Sequence, residues 1–125
     1  MQFKKLHENF ELPEYQTDGA AAFDLAIMED IVVDCDSYTY IDLGFSAAVP
    51  SGCVALILPR SSKGFNDGLT LANTCGVIDS DYRGEWKAKI TLNKEDDFAV
   101  VYNAGERLFQ CLIVPVSKVK LEMVD

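Results

Sequence analysis

The residues best suited to chemistry lie at positions 76–84, GVIDSDYRG, where two carboxylates and a guanidinium follow an apolar Val-Ile pair. Asp79 comes directly after that pair, and an ionised aspartate in such a place can take a proton from water as a general base. Asp, Ser and Gly are also frequent turn formers, so a solvated turn is the competing interpretation. Taken alone, the stretch favours the turn.

A second stretch, Arg60-Ser61-Ser62, could bind an anion. It follows the apolar run 54–58 after a proline, at the end of a predicted strand. A guanidinium, two hydroxyls and the neighbouring backbone N–H groups at a strand end can hold a phosphate. The tripeptide is common by chance, and an exposed loop is the alternative.

Asp24 and Gln110 interrupt two apolar segments, 22–25 and 108–114. A polar group buried without a partner costs roughly 1–3 kcal/mol, so each side chain needs either solvent or a partner. For Asp24, a strand residue that faces solvent is the structural alternative. Gln110 is expected to be hydrogen-bonded, either within the protein or to a ligand.

Short strands must position these residues. Positions 86–93 and 41–47 alternate between apolar and other residues, which is the period of a half-buried strand. Many short strands at regular spacing predict an all-β sandwich, distorted jelly roll or barrel. The helical content expected is one short turn near 61–64. Apolar runs without alternation predict further strands at 31–33, 54–58, 98–102, 108–114 and 119–123, separated by turn signals such as 95–97.

Length and charge fit a single domain, 1–125, with a small ligand. The chain has 125 residues, of which 49% are apolar, so it can bury a real core. A net charge of −9 argues against nucleic acid as the main partner, because phosphate-backbone contacts need a basic face. One small phosphate ligand would need local cationic groups and a divalent cation to offset repulsion.

The sequence also indicates where in the cell the protein is located. No apolar run is long enough to span a bilayer, and none follows the N-terminal lysines as a signal peptide would. We therefore expect a cytoplasmic protein without a membrane partner. The single histidine, His7, cannot form a histidine metal site. Free buried thiols are expected at Cys35, Cys53, Cys75 and Cys111, which lack metal-ligand spacing.

Together, in this order and spacing, the four stretches resemble the all-β trimeric dUTP diphosphatase (dUTPase) family. They read AFDL at 22–25, PRSS at 59–62, GVIDSDYRG at 76–84 and GERLFQ at 105–110. The third motif is highly specific, and the resemblance covers nearly the whole chain. It implies a dUTPase-like jelly-roll domain that assembles as a homotrimer with active sites between subunits.

The resemblance implies hydrolysis of dUTP to dUMP and pyrophosphate by in-line attack of water on the α-phosphorus. This reaction limits uracil incorporation into DNA and supplies dUMP. Asp79 would be the general base, and Asp24 would help to position the water or the hydration shell of a metal. Mg²⁺ bridging the triphosphate would neutralise charge without direct protein ligands. The residues implied to hold the phosphate chain are Arg60, Ser61 and Ser62, and Gln110 would reach a phosphate oxygen or the attacking water.

For the nucleoside, the resemblance implies a hairpin too tight for a 5-methyl group. Tyr82 would pack beneath the deoxyribose and reject a 2′-hydroxyl by contact. Asp81 would tie down the hairpin, while Arg83 and Glu106-Arg107 would form ion-pair scaffolding. The other residues implied to contact the substrate are Asn73, Gly76, Val77, Ile78 and Lys87.

The chain departs from the family pattern at its C-terminal end. Members of the family end in a glycine-rich tail whose Arg meets the γ-phosphate and whose Phe covers the base, and residues 119–125 show no such tail. An engineered truncation, a short phage-like enzyme, or a nucleotide-binding or regulatory module with little turnover would each account for this. Deamination of dCTP on the same fold is less favoured, since no extra motif serves attack on a cytosine ring.

Overall fold

The computed structural model describes residues 1–94 and 99–125. In this part of the chain it has eleven β-strands and one short helix, α1, which spans Ser61–Asp67. No helix among these residues has the length and apolarity needed to cross a bilayer. The strands are β1 (Gln2–Lys5), β2 (Phe23–Ala26), β3 (Ile31–Asp34), β4 (Thr39–Asp42), β5 (Phe45–Ala48), β6 (Cys53–Pro59), β7 (Leu69–Leu71), β8 (Gly76–Ile78), β9 (Lys87–Leu92), β10 (Ala99–Tyr102) and β11 (Arg107–Pro115).

Antiparallel pairing arranges the strands in four small sheets. The largest has the order β2-β11-β6-β8, and a second has the order β4-β9-β7. Two further pairs, β1 with β5 and β10 with β3, complete the described sheets. Strand β11 lies between β2 and β6, so its side chains meet residues from both neighbours. The architecture confirms the predicted all-β class.

One hydrophobic core receives residues from both of the larger sheets. In β9, Ala88, Ile90 and Leu92 are buried, as the alternating pattern predicts. The ring of Phe45 lies 4.9 Å from that of Phe10 and 5.0 Å from that of Trp86. Aromatic packing of this kind joins the N-terminal strands to the sheet that contains β9.

The alternating segment 41–47 is divided into two strands at Gly44. This glycine has a φ of +80°, in the left-handed region that an L side chain rarely adopts. The chain leaves β4 there and enters β5 in a different sheet. The alternation predicted the buried face correctly, because the residues it placed inside are all buried: Ile41, Leu43, Phe45 and Ala47.

Several predictions about elements need correction. Residues 119–123 form no strand, and Val119 and Met123 are exposed, because no described strand of the chain pairs with this segment. The turn expected at 61–64 is the longer helix α1, and β1 and β7 were not predicted. The strand predicted at 98–102 is β10 from Ala99 onward, while residue 98 and the turn 95–97 lie outside the described residues.

The cysteines differ in burial. Cys53, Cys75 and Cys111 are free thiols, and Cys111 is buried. The prediction of buried thiols is wrong for the other three positions, since Cys35, Cys53 and Cys75 are only partly buried. Strand β6 begins at Cys53 and the hairpin residue Cys75 precedes β8, so both lie near element ends, where burial is less complete.

Candidate functional site

Strand β8 lies against β6, with Gly76 opposite Ile57 and Val77 opposite Leu56. A Cβ atom on Gly76 would lie only 3.0 Å from the Cβ of Ile57, which is tighter than normal van der Waals contact. Glycine therefore allows the two backbones to approach closely at this point. The approach brings the apolar pair Val77-Ile78 beside the edge of the second sheet.

A pocket of about 450 Å³ opens beside this hairpin. Five of the predicted substrate-binding residues line it: Asn73, Gly76, Val77, Ile78 and Lys87. Its other lining residues are Tyr40, Ile57, Leu71, Ala72, Ala88 and Lys89. We call this site the hairpin pocket, and its size and partly apolar lining suit a planar ring.

Tyr40 and Lys89 are pocket residues that sequence reasoning missed. They lie opposite each other in the pairing of β4 with β9. The Lys89 ammonium stands 5.1 Å from the ring centre of Tyr40 and 4.7 Å from that of Tyr38, which is cation–π geometry. The alternation of β9 places Lys87 and Lys89 on one face, and this was the only sequence signal for Lys89.

A strained residue, Thr74, directly follows the pocket residue Asn73 in the turn before β8. Its φ is +68°, which is unfavourable for a β-branched side chain. The Thr74 N–H donates to the Leu71 carbonyl at 2.9 Å, and the Cys75 N–H donates to the Asn73 carbonyl at 2.7 Å. These bonds hold the tight turn that presents Asn73, so Thr74 acts on the pocket through the backbone.

Asp79 follows β8 directly and is exposed. Its carbonyl accepts the Tyr82 N–H at 3.2 Å, which closes a turn. Its carboxylate has no hydrogen bond or ion pair with any residue that the structure describes. The turn interpretation is therefore correct for the backbone of Asp79, while its carboxylate remains available to accept a proton.

The ring of Tyr82 packs against Gly84. The Tyr82 hydroxyl donates to the Glu85 carbonyl at 3.0 Å. A Cβ atom at Gly84 would lie 2.5 Å from the Tyr82 hydroxyl oxygen, so only glycine leaves room for the ring. Arg83 secures the same loop, donating from Nη1 to the carbonyls of Ser80 at 2.6 Å and Tyr82 at 3.2 Å. The structure thus gives Arg83 the loop-fixing role that was predicted for Asp81.

A second polar group forms where β11 lies between β2 and β6. Gln110 is opposite Asp24 on one side and Leu58 on the other. Its Nε2 donates to the Pro59 carbonyl at 3.0 Å, so the amide is hydrogen-bonded as expected. The amide therefore stays beside the segment that leads into α1.

Two arginines surround the carboxylate of Asp24. Arg60 Nε lies 3.3 Å and Arg107 Nη1 3.8 Å from Asp24 Oδ2, and the Asp24 side chain is 12% exposed. The solvent-facing alternative for Asp24 is therefore wrong. Arg60 also donates from Nη1 to the Arg107 carbonyl at 3.1 Å. We call Asp24, Arg60, Arg107 and Gln110 the arginine cluster.

Ser61 and Ser62 begin α1 next to the arginine cluster, and both are exposed. Arg60, which precedes the helix, donates its N–H to the Leu108 carbonyl at 2.9 Å. The cluster and the hairpin pocket share β6: Ile57 lies in the pocket, and Arg60 follows three residues later, about 10 Å along an extended chain. No hydrogen bond or ion pair among the described residues joins the two groups.

The donor set of the site does not fit a metal held by side chains alone. Among residues 1–94 and 99–125, no group of three or more His, Cys, Asp or Glu residues could hold a metal ion. Asp24 is paired with arginines, and Lys87 pairs with Asp42 at 3.7 Å. A cation here would require ligand oxygens from a bound molecule and water.

Fold and site together define a small all-β nucleotide-binding protein, with a ring-sized pocket and an anion-binding cluster on neighbouring strands. Comparison with known proteins gives the family: the dUTPase family model matches residues 8–125. The chain belongs to the dUTPase family. This confirms the resemblance inferred from the four motifs.

Curated relatives agree with that assignment. The deoxyuridine 5'-triphosphate nucleotidohydrolase of Hydrogenobaculum sp. (strain Y04AAS1) is 40% identical over 119 residues, covering 94% of this chain and 81% of the relative. The enzyme of the same name from Nautilia profundicola is 35% identical over 125 residues, covering 100% of this chain and 87% of the relative.

Solved structures confirm the fold. A mutant dUTPase of phage phi11 of S. aureus, described with a coordinated structural Mg(II) ion, superposes with a TM-score of 0.88 at 23% identity, over 99% of this chain and 95% of that one. A mutant dUTPase of Staphylococcus bacteriophage 80alpha with dUpNHpp gives 0.86 at 21% identity, over 99% and 95%.

Proposed function

We propose that this chain hydrolyses dUTP to dUMP and pyrophosphate. The observation that carries the proposal is the carboxylate of Asp79, which is exposed and has no hydrogen bond or ion pair with a described residue. Asp79 directly follows the strand that walls the hairpin pocket. A solvated carboxylate is ionised near neutral pH and can remove a proton from a water molecule as that water attacks phosphorus. Asp79 is the general base of this proposal.

The hairpin pocket binds the uracil. Residues 76–78 and Asn73 line this pocket, and their backbone groups and the Asn73 amide would supply donors and acceptors to a pyrimidine edge. Exclusion of a 5-methyl group is assigned to this hairpin, whose backbone at Gly76 packs closely on Ile57 and would resist widening. Tyr82 packs beneath the sugar, and Lys87 contributes positive charge at the pocket wall.

The arginine cluster and the start of α1 bind the triphosphate. Arg60 exchanges its ion pair with Asp24 for the stronger charge of the phosphates, while Ser61 and Ser62 donate their hydroxyls and backbone N–H groups. Arg107 stays with Asp24, so the carboxylate keeps a cationic partner during the exchange. Gln110, fixed by Pro59, offers its amide to a phosphate oxygen or to the attacking water.

Mg²⁺ is the proposed cofactor: substrate phosphates and water would hold it, and Asp24 would order its hydration shell. When bound, it neutralises charge on the triphosphate. This assignment is supported by the donor set of the site, which would leave a cation to ligands from the substrate. The dUTPase of phage phi11, described with a structural Mg(II) ion, shares the fold.

Three copies of the chain assemble as a homotrimer and complete each site between subunits. Exposed apolar side chains at Val119, Leu121 and Met123 offer surface for such an assembly. Sedimentation equilibrium should give three times the 13.8 kDa chain mass. The cytoplasmic location stays a prediction.

The alternative, a nucleotide-binding or regulatory module with little turnover, is not favoured. The curated relatives are named as nucleotidohydrolases. Measured turnover of dUTP at ordinary enzyme rates would remove this alternative. Tight binding of dUTP without product over hours would instead establish it.

The test is pyrophosphate release from dUTP with Mg²⁺, compared between the wild type and Asp79→Asn. We expect kcat to fall by about 10²–10⁴-fold, the contribution of a positioned general base. Asp81→Asn is the matched control, because Asp81 is an exposed aspartate in the same loop without a described side-chain partner. Equal rates for Asp79→Asn and the wild type would defeat the assignment of the base.

A further inference from the structure

Helix α1 cannot hold its own position by packing. It has seven residues, none of which is buried, and Arg60 makes no side-chain capping bond at its start. Isolated helices shorter than about 12 residues are marginal in water. The orientation of Ser61 and Ser62 must therefore come from contacts that other elements make with the helix.

One of these contacts lies at the far end of α1. The hydroxyl of Tyr102, a residue of β10 that is only 1% exposed, donates to Oδ2 of Asp67 at 2.8 Å. Burial and the neighbouring Asp67 raise the pKa of Tyr102 well above its usual value, so the hydroxyl keeps its proton and acts as the donor. The last helical residue is thereby fixed to the core.

Lys63, one turn before Asp67, lies on the same face of the helix. Its ammonium stands 5.3 Å from the ring centre of Tyr102 and 3.8 Å from Oε1 of Glu106. The other oxygen of Glu106 accepts the Asn103 N–H at 2.6 Å. Tyr102 thus contacts both helical side chains, immediately before the turn that leads into Arg107 of the arginine cluster.

We propose that Tyr102 is a positioning residue for the phosphate-binding end of α1. Its hydroxyl fixes Asp67 and its ring supports Lys63, which together set where Ser61 and Ser62 meet a triphosphate. Tyr102 does not line the hairpin pocket, so its influence is confined to the phosphates. This inference rests on the proposed function, because it assigns a triphosphate to α1.

The test compares binding of dUpNHpp, a non-hydrolysable dUTP analogue, with binding of deoxyuridine by calorimetry in the presence of Mg²⁺. Tyr102→Phe keeps the buried ring and removes the hydroxyl. We expect the analogue Kd to rise by up to about tenfold, which is less than the full value of a hydrogen bond to a charged group, because this bond positions α1 and does not contact the ligand. Deoxyuridine affinity should be unchanged. Asp67→Asn, which keeps an acceptor oxygen, should bind the analogue nearly as the wild type does.

Tyr15→Phe is the matched control, since Tyr15 is exposed and packs its ring on Phe23. Asp67→Ala removes the same bond from the helix side, at a partly buried residue, and keeps the test usable if Tyr102→Phe folds poorly. Unchanged analogue affinity, or equal weakening of both ligands, would overturn the assignment of Tyr102. A wild-type protein that binds neither ligand would instead overturn the proposed function, and this assignment with it.

Discussion

The hairpin pocket and the arginine cluster are held in place by different kinds of interaction. The pocket is walled by β8, which pairs with β6, and by β9, which pairs with β7, and core residues such as Ile57 and Leu71 form part of its lining. In the arginine cluster, Arg60 and Arg107 are joined to Asp24 by ion pairs of 3.3 and 3.8 Å. The cluster lies beside α1, which has no buried residue. Sheet hydrogen bonds fix the first region, and charges fix the second.

This difference separates the two tasks of a nucleotide site. Closely packed backbone deforms little, so a pocket lined by it discriminates between ligands by their shape. Ion pairs can exchange partners, so a cluster of them binds any suitable anion. Changes in the pocket should therefore alter which nucleotide is used, and changes in the cluster should alter how tightly every triphosphate is bound.

Among changes that affect nucleoside recognition, Gly84→Ala is expected to have the largest effect on activity. The new methyl would meet the end of the Tyr82 ring and displace it, without touching the core. We expect kcat/KM for dUTP to fall by about 100-fold, as for a misplacement near 1 Å, with loss of discrimination against UTP and little change in Tm. Gly19→Ala, where an added Cβ meets nothing within 4 Å, is the control. Unaltered dUTP/UTP discrimination would contradict the packing role of Gly84.

On the phosphate side, Arg60→Gln removes the guanidinium that now pairs with Asp24. We expect the Kd of dUpNHpp to rise about 10-fold to 100-fold, the value of a charge-assisted bond, and deoxyuridine binding to stay constant. The loss should shrink at high salt because screening weakens exposed charges. Lys4→Gln changes the net charge equally on the distant strand β1 and should bind as the wild type does. Weakened deoxyuridine binding would show that the two regions are not separable.

A smaller effect, on stability, is expected from relieving the backbone strain at Thr74. Thr74→Asn places a residue that tolerates the left-handed region at φ +68°. We expect the free energy of unfolding to increase by about 1 kcal/mol, measured by urea denaturation. Thr17→Asn, in an exposed loop without positive φ, should change stability little. A less stable Thr74→Asn protein would show that the Thr74 side chain contributes contacts that outweigh the strain.

The smallest expected effect is a difference in thiol reactivity between two cysteines, one next to each region. Burial raises the pKa of the Cys111 thiol, next to Gln110, to about 12, so it stays protonated and unreactive. Cys75, next to Gly76, is partly exposed. In native protein at pH 8, iodoacetamide should label Cys75 and leave Cys111 unlabelled, and dUpNHpp should slow the Cys75 reaction. Mass spectrometry of the peptides checks this, and labelling of Cys111 before unfolding would contradict its burial.

Sequence patterns predicted the elements whose signal is local. The alternation of β9 fixed its buried face, because one side of the strand meets the core. The prediction from an apolar run without alternation failed at 119–123, since a strand also needs a partner and none of the described strands provides one. The break at Gly44 was missed because alternation continues across it.

The candidate site was predictable where the motifs are contiguous. Residues 76–78 and Asn73 were identified from the hairpin motif, and the structure places them in one pocket. Tyr40 and the arginine partners of Asp24 were missed, because pairing between distant segments brings them there. Thr74 gave no signal, since its strain is a property of the folded backbone.

The central claim, that one region reads the nucleoside and another the phosphates, is tested most directly by kcat/KM for dUTP, dTTP and UTP in the wild type and in Arg60→Gln. We predict that the wild type favours dUTP over both competitors by about 100-fold or more, and that Arg60→Gln lowers all three values by the same factor. Comparable wild-type rates for dUTP and dTTP, or a preference that changes in Arg60→Gln, would contradict the account.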